Sequence, residues 1–258
     1  MQEIETIKTF IKNRTGQRLA VIIDKADSQK GLAFVMHGLG DNKESAHIRI
    51  LASCFSDNGY TVVRLDAANT FGESEGDFAD ANITNYYEDY EDVIDWSRSQ
   101  SFYEVPFILC GHSLGALSSA WYAGQNPDEV KSLVLLGSPI NFNLSMQMHS
   151  QEEAEDWQKT GYLLEDWGLP EKVKIKWSYM EEKKKYDLLK IADRLVMPIL
   201  LIVGELDDAS SPKNQQILFD RLPEKKELYV IKGSPHTFRE EEHLKEIYNI
   251  MDKWIKNL

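Results

Sequence analysis

The sequence predicts an α/β protein: a mostly parallel eight-stranded sheet with helices on both faces and an inserted cap. Three observations lead there. From residue 31 onward, apolar strand-like runs alternate with segments of helical spacing, the pattern of a parallel sheet covered on both sides. Before residue 31 two strand-like runs follow each other without a helix between them, which predicts an antiparallel edge. Residues 140–190 then break the rhythm with a stretch too long for a plain connection.

The elements follow in order. "EIETIKTFI" (3–11) and "RLAVIIDK" (18–25) are the edge pair. "GLAFVMHG" (31–38) is a short continuous apolar run ending in turn residues, as a buried strand requires. "KESAHIRILASCFSDNG" (43–59) has helical spacing and stops at Asn58-Gly59. "YTVVRLDA" (60–67) is the next strand. In the helix predicted over 85–100, Tyr86, Tyr90, Val93, Ile94 and Trp96 share one side and acids take the other. Strand 107–110, helix 114–124 and strand 130–138 follow. Beyond the interruption come strand 197–205, helix 213–222, strand 226–233 and a closing helix over 239–258. The core domain is therefore read as 1–139 and 191–258, with 140–190 as a cap, or lid, subdomain. Inside the cap, "YLLEDW" and the alternating "VKIKWSY" flank Gly168-Leu169-Pro170, which predicts a small hairpin between helices.

Composition narrows the function. The chain has 258 residues, 42% of them hydrophobic, enough for one large core. With 29 Lys+Arg against 42 Asp+Glu the net charge is −13, which argues against nucleic acid or an anionic membrane surface as partner. The basic run Lys183–Lys185 reads as a solvated helix face. No stretch is apolar enough to span a bilayer. "MQEIETIKTFIKN" lacks a basic segment followed by an apolar one, so no secretory signal is expected. Cys54 and Cys110 have no metal or disulfide spacing and read as core side chains of a reduced, cytoplasmic protein. Monomer and homodimer are left open.

Chemistry is concentrated in "ILCGHSLGALSSAW" (108–121), where a strand runs into a helix through Gly111-His112-Ser113-Leu114-Gly115. A serine held clear of the backbone on so sharp a turn needs small residues two positions before and after it, as Gly111 and Gly115 are. The helix that follows aims its free N–H groups at the same point. A nucleophile there needs a base, an acid to orient it and oxyanion donors. His236, in "KGSPHTF" after a strand, is the candidate base, whereas His243 lies inside the last helix. Asp207, three residues after Gly204 at the end of "LLIVGELDD", is favoured as the acid over Asp208. The backbone N–H groups of Leu39, in "MHGLGDN", and Leu114 are the candidate oxyanion donors, and His37 reads as structural. From the cap, Trp157, Trp177, Met146 and Tyr179 are expected to line the substrate pocket.

With those residues placed, the chain resembles the α/β-hydrolase superfamily over about residues 15–257. "HGLGDNKES", "DAANTFGESEG", "CGHSLGA" and "VGELDDASSP" look like the group of bacterial carboxylesterases, cinnamoyl (feruloyl) esterases and monoacylglycerol lipases. Two departures stand out. Asn69-Thr70-Phe71-Gly72 replaces that group's Gly-His-Gly run. Leu114 stands where acyl-protein thioesterases, also similar in "HGLGD", carry Gln. The resemblance implies a cofactor-free and metal-free serine esterase that forms an acyl-enzyme on Ser113 from a small-molecule ester. The alternatives are a serine peptidase, amidase or thioesterase on the same fold, and a non-catalytic binding protein of that fold.

Overall fold

The computed structural model describes residues 4–167 and 171–258. The chain opens with strands β1 (Ile4–Lys12), β2 (Arg18–Ala26) and β3 (Gly31–Met36), then helix α1 (Ala46–Asp57) and strand β4 (Tyr60–Leu65). Helix α2 (Ile83–Ser97), strand β5 (Phe107–His112), helix α3 (Leu114–Gln125) and strand β6 (Val130–Leu136) follow. Between β6 and the next sheet strand lie helices α4 (Phe142–Met146) and α5 (Gln151–Thr160), strands β7 (Tyr162–Glu165) and β8 (Val173–Lys176), and helices α6 (Trp177–Lys183) and α7 (Leu188–Ile191). Strand β9 (Ile199–Gly204), helix α8 (Pro212–Arg221), strand β10 (Lys226–Ile231) and helix α9 (Glu241–Ile255) complete it.

Eight strands form one sheet in the order β1-β2-β4-β3-β5-β6-β9-β10. Every neighbouring pair is parallel except β1 with β2 and β2 with β4, so β2 alone runs against the rest. The predicted fold class and antiparallel edge are both present. The buried strands are apolar on both sides because each face has its own core. Phe34, Leu109 and Leu135 pack with Tyr86, Tyr90 and Leu117 of α2 and α3 on one face. Val35, Cys110 and Val134 pack with Ile48, Phe55 and Met251 of α1 and α9 on the other.

Element ends differ from the sequence reading by a few residues. Strand β5 continues two residues beyond 110 to His112, the residue before Ser113. Pairing of Gly111 with Leu135 and of His112 with Leu136 sustains it. In the interruption, β7 and β8 pair antiparallel, Tyr162 opposite Lys176, and α5 and α6 flank them. The predicted turn at Gly168-Leu169-Pro170 lies outside the described residues. Lys183 corrects the expected solvated face: it is only 7% exposed, because it lies on the buried side of α6 with Tyr179 and Met180. Its Nζ donates to Ser145 Oγ at 3.2 Å, and burial brings its pKa down to about 8.

A buried ion pair invisible to periodicity anchors the loops on the carboxyl side of β3 and β4. Lys43 Nζ lies 2.6 Å from Asp66 Oδ2 and 2.6 Å from Glu73 Oε2, and both Lys43 and Asp66 side chains are out of solvent. Asp66 also accepts the N–H groups of Lys43 and Glu73, each at 2.7 Å. Removing Asp66 leaves the buried Lys43 ammonium with only the solvent-exposed Glu73 carboxylate and deprives the Lys43 and Glu73 N–H groups of their acceptor. Asp66→Ala is therefore expected to lower the unfolding free energy by about 3–5 kcal/mol in urea denaturation. A loss below about 1 kcal/mol, the range of exposed pairs, would contradict this reading.

Candidate active site

Ser113 is one of two non-glycine residues with positive φ among the described residues, at 51° with ψ −117°. The conformation is sparsely populated and costs roughly 1–3 kcal/mol, so the surroundings must impose it. They do so by close approach. A Cβ on Gly111 would overlap the carbonyl of Gly115, and one on Gly115 would overlap the carbonyls of Met36 and His37. Strand β5, the turn and the start of α3 therefore fit against β3 only with glycine at both places. Ser113 N–H donates to the Leu136 carbonyl at 2.8 Å and its own carbonyl accepts from Leu117 N–H at 3.0 Å, which fixes the turn from both sides.

Two loops at the carboxyl edge of the sheet bring the acid and the imidazole to this serine, as ligand sites in open α/β sheets lead one to expect. Asp207 follows β9 and is 4% exposed; its Oδ1 accepts the N–H groups of Ala209 at 2.9 Å and Ser210 at 2.6 Å. His236 follows β10. Its Nδ1 lies 2.8 Å from Asp207 Oδ2, and its Nε2 lies 2.9 Å from Ser113 Oγ. A carboxylate can only accept, so Nδ1 carries the proton and Nε2 is left to accept from the serine hydroxyl. Asp208 is exposed, and the imidazole hydrogen-bonds to Asp207 instead. The chain of hydrogen bonds can pass the hydroxyl proton to His236 and keep the resulting charge beside a buried carboxylate.

Leu39 and Leu114 sit beside this point, on the loop after β3 and at the first position of α3. Among the described residues neither backbone N–H has a hydrogen-bond acceptor. His37 shapes the first of these loops. Its Nε2 accepts from Ala67 N–H at 3.0 Å, so Nδ1 bears the proton and donates to the Gly38 carbonyl at 2.7 Å. Burial pushes its pKa below the usual histidine value, with Asp66 and Asp41 pulling weakly the other way.

A histidine kept neutral by folding has a defined effect on stability. Above about pH 6.5 His37 is neutral folded and unfolded, and its contribution is complete. Below that value the unfolded chain takes up a proton that the folded one refuses, so stability falls as pH drops toward the lower folded pKa. Urea midpoints of the wild type are expected to fall between pH 7 and 5.5, with a shallower slope in His37→Asn. Equal slopes in the two proteins would contradict a buried neutral His37.

A family model described as serine aminopeptidase, S33, matches residues 27–188, more than half of the chain. The chain belongs to this family of α/β-hydrolases. No curated protein matches it in sequence. Among solved structures, Est1E from Butyrivibrio proteoclasticus with ferulic acid bound has a TM-score of 0.78 at 21% identity, covering 96% of this chain and 98% of that one. Alpha/beta hydrolase domain-containing protein 10 from mouse reaches 0.80 at 19%, over 97% and 99%. The esterase domain of a Rhodothermus marinus protein reaches 0.72 at 21%, over 99% and 98%. At these identities the likeness is one of fold.

The hydrolase differs from the sequence reading most in how the insertion meets the site. Trp157 is 3% exposed, and its Nε1 donates to the Ile175 carbonyl at 3.0 Å. It packs edge-on to Trp177, ring centroids 5.6 Å apart, and Trp177 is half-buried against the main core. Met146 is half-buried against the main core. Tyr179 does come to the loop after β3, lining a narrow cleft with Leu39, Phe78 and Ile175. The aromatic residue laid directly on that loop is Trp167. Its ring occupies the space a side chain at Gly40 would need, and it meets Phe78 and Phe71 edge-on at 5.5 and 6.4 Å. The sequence signal for Trp167 is its place immediately before Gly168-Leu169-Pro170, at the tip of the predicted hairpin.

Proposed function

We propose that the protein is a serine hydrolase that cleaves carboxylic esters through an acyl-enzyme on Ser113. The observation that carries this reading is the hydrogen-bonded chain from Ser113 Oγ to His236 Nε2 at 2.9 Å and from His236 Nδ1 to Asp207 Oδ2 at 2.8 Å. His236 removes the hydroxyl proton as Ser113 Oγ attacks the ester carbonyl. The N–H groups of Leu39 and Leu114 take the oxyanion, each worth about 2.7–4 kcal/mol in the transition state. The carbonyl then re-forms, the C–O bond to the alcohol breaks, and His236 protonates the departing oxygen. Water repeats the sequence: His236 takes its proton, hydroxide oxygen adds to the acyl carbon, and Ser113 leaves with the proton restored. Beyond the ester and water, the steps use only groups of the chain itself.

We take residues 140–190 as a cap over a core of 1–139 and 191–258, acting on substrate choice. Trp167, Tyr179 and Phe78 border the oxyanion loop and are its contact residues, while Trp157 and Trp177 hold the cap together. Trp167→Ala is expected to lower kcat/KM for methyl ferulate or p-nitrophenyl octanoate by roughly 10–200-fold more than for p-nitrophenyl acetate. Equal losses on all three esters would remove Trp167 from the pocket. Cys54 and Cys110 are free and buried, consistent with a reducing, cytoplasmic setting. Among the described residues no helix is long and apolar enough to cross a membrane.

A second reading, an aminopeptidase or amidase, is favoured by the description of the matching family. Matched substrates separate the two. Turnover of p-nitrophenyl acyl esters, with aminoacyl p-nitroanilides untouched, supports the esterase; preferential cleavage of the anilides would replace it.

A further inference from the structure

Behind the nucleophile lies a second group of chemistry-bearing side chains that the hydrolytic reading does not use. Asp41 from the loop after β3, His47 from the first turn of α1 and His112 from the end of β5 offer one ligand atom each, all within 4.8 Å of one another. His112 shares a strand face with Ile108 and Cys110, so it points toward α1 and α9. The rings of His47 and His112 meet edge-on with centroids 4.5 Å apart.

Their hydrogen bonding is incomplete in a particular way. His112 Nε2 lies 3.0 Å from the His236 backbone carbonyl, which can only accept, so Nε2 bears the proton. In the neutral ring Nδ1 then presents a lone pair, and this atom is buried with no hydrogen-bond partner among the described residues. His47 Nε2 is likewise buried, and it faces the Asp41 carboxylate, 2.9 Å from Oδ2. His112 and His47 are 3% and 5% exposed. A buried imidazole nitrogen without a partner, as His112 Nδ1 is, is costly unless something binds it.

We propose that Asp41 Oδ2, His47 Nε2 and His112 Nδ1 form a binding site for a divalent transition-metal ion, Zn²⁺ being the best match to two imidazoles and one carboxylate. Three protein ligands with a fourth position for water or an anion is a common zinc arrangement. The surrounding contacts are those that orient metal ligands. His112 anchors its far nitrogen on a backbone carbonyl, and Asp41 Oδ1 accepts from Ser45 Oγ and from Asn42 N–H. In a tetrahedral site with metal–ligand distances of about 2.0–2.1 Å the ligand atoms lie ~3.4 Å apart, so a pair as wide as 4.8 Å closes by roughly 1.4 Å on binding. The ion would tie the oxyanion loop, α1 and β5 together and, through His112, reach the backbone of the His236 loop. It lies outside the chain of groups that carry the hydrolysis.

The test is Zn²⁺ binding to tag-free, chelator-stripped protein by equilibrium dialysis and calorimetry, with Co²⁺ absorption reporting the ligand set. One ion per chain is expected, with His47→Ala and Asp41→Asn each weakening it at least ~100-fold. His236→Ala, which removes the nearest other imidazole, is expected to leave the stoichiometry at one. If His47→Ala does not fold, Asp41→Asn, a near-isosteric change, decides alone. The proposal is overturned by no saturable binding at up to a ~100-fold excess of Zn²⁺. Affinity unchanged in Asp41→Asn, or a site lost with His236→Ala, would overturn it too.

Discussion

Ser113→Ala is expected to lower kcat/KM for a p-nitrophenyl ester by at least ~10⁴-fold while leaving the unfolding transition in place. The turn that holds Ser113 is imposed by glycine at 111 and 115 and by hydrogen bonds of the Ser113 backbone, none of which needs the hydroxyl. Alanine meets the same backbone strain as serine. The remaining rate would come from the oxyanion donors and from substrate positioning. Retention of more than a few per cent of activity, with circular dichroism and urea midpoint unchanged, would mean that another group is the nucleophile.

The second large effect is expected at the pair that serves the serine. His236→Ala is expected to match the loss at Ser113, and the double variant to lose no more, because residues acting as one unit are not additive. Asp207→Asn is expected to cost about 10⁴-fold through the wrong imidazole tautomer. An amide at 207 can turn its NH₂ toward Nδ1, which then accepts, and Nε2 becomes a donor unable to take the serine proton. Asp208→Asn changes an exposed side chain and is expected to stay within about twofold, the scale of an ordinary surface substitution. A more severe loss at 208 than at 207 would reassign the acid.

What was legible in the sequence follows from how local each feature is. The sheet strands are continuous apolar runs, and α2 carries Tyr86, Tyr90, Val93 and Ile94 on one face, so both periodicities survive without tertiary information. The spacing of Gly111, Ser113 and Gly115 is a local steric demand, readable for the same reason. Asp207 and His236 are separated from Ser113 by 94 and 123 positions in the chain, yet they fall at strand ends, and one sheet edge collects all such ends. Long-range side-chain pairing has no such signature. Nothing in the sequence joins Lys43 to Asp66, or His47 to His112 and Asp41. Lys183 looks solvated inside a basic run until the helix phase places it beside Tyr179. Among the insertion's tryptophans, Trp157 and Trp177 meet edge-on, which composition cannot distinguish from lining a pocket, and Trp167 is laid on the loop after β3.

The most direct measurement on the central claim is covalent labelling with a fluorophosphonate, followed by digestion and mass spectrometry. Loss of fluoride and formation of a Ser113 Oγ–P bond is expected to add one phosphonyl group per chain, on the peptide containing Gly111-His112-Ser113-Leu114-Gly115. Ser113→Ala is expected to take up none, and His236→Ala to react far more slowly. Labelling confined to another residue, or a wild type that stays unmodified while hydrolysing esters, would contradict Ser113 as the nucleophile.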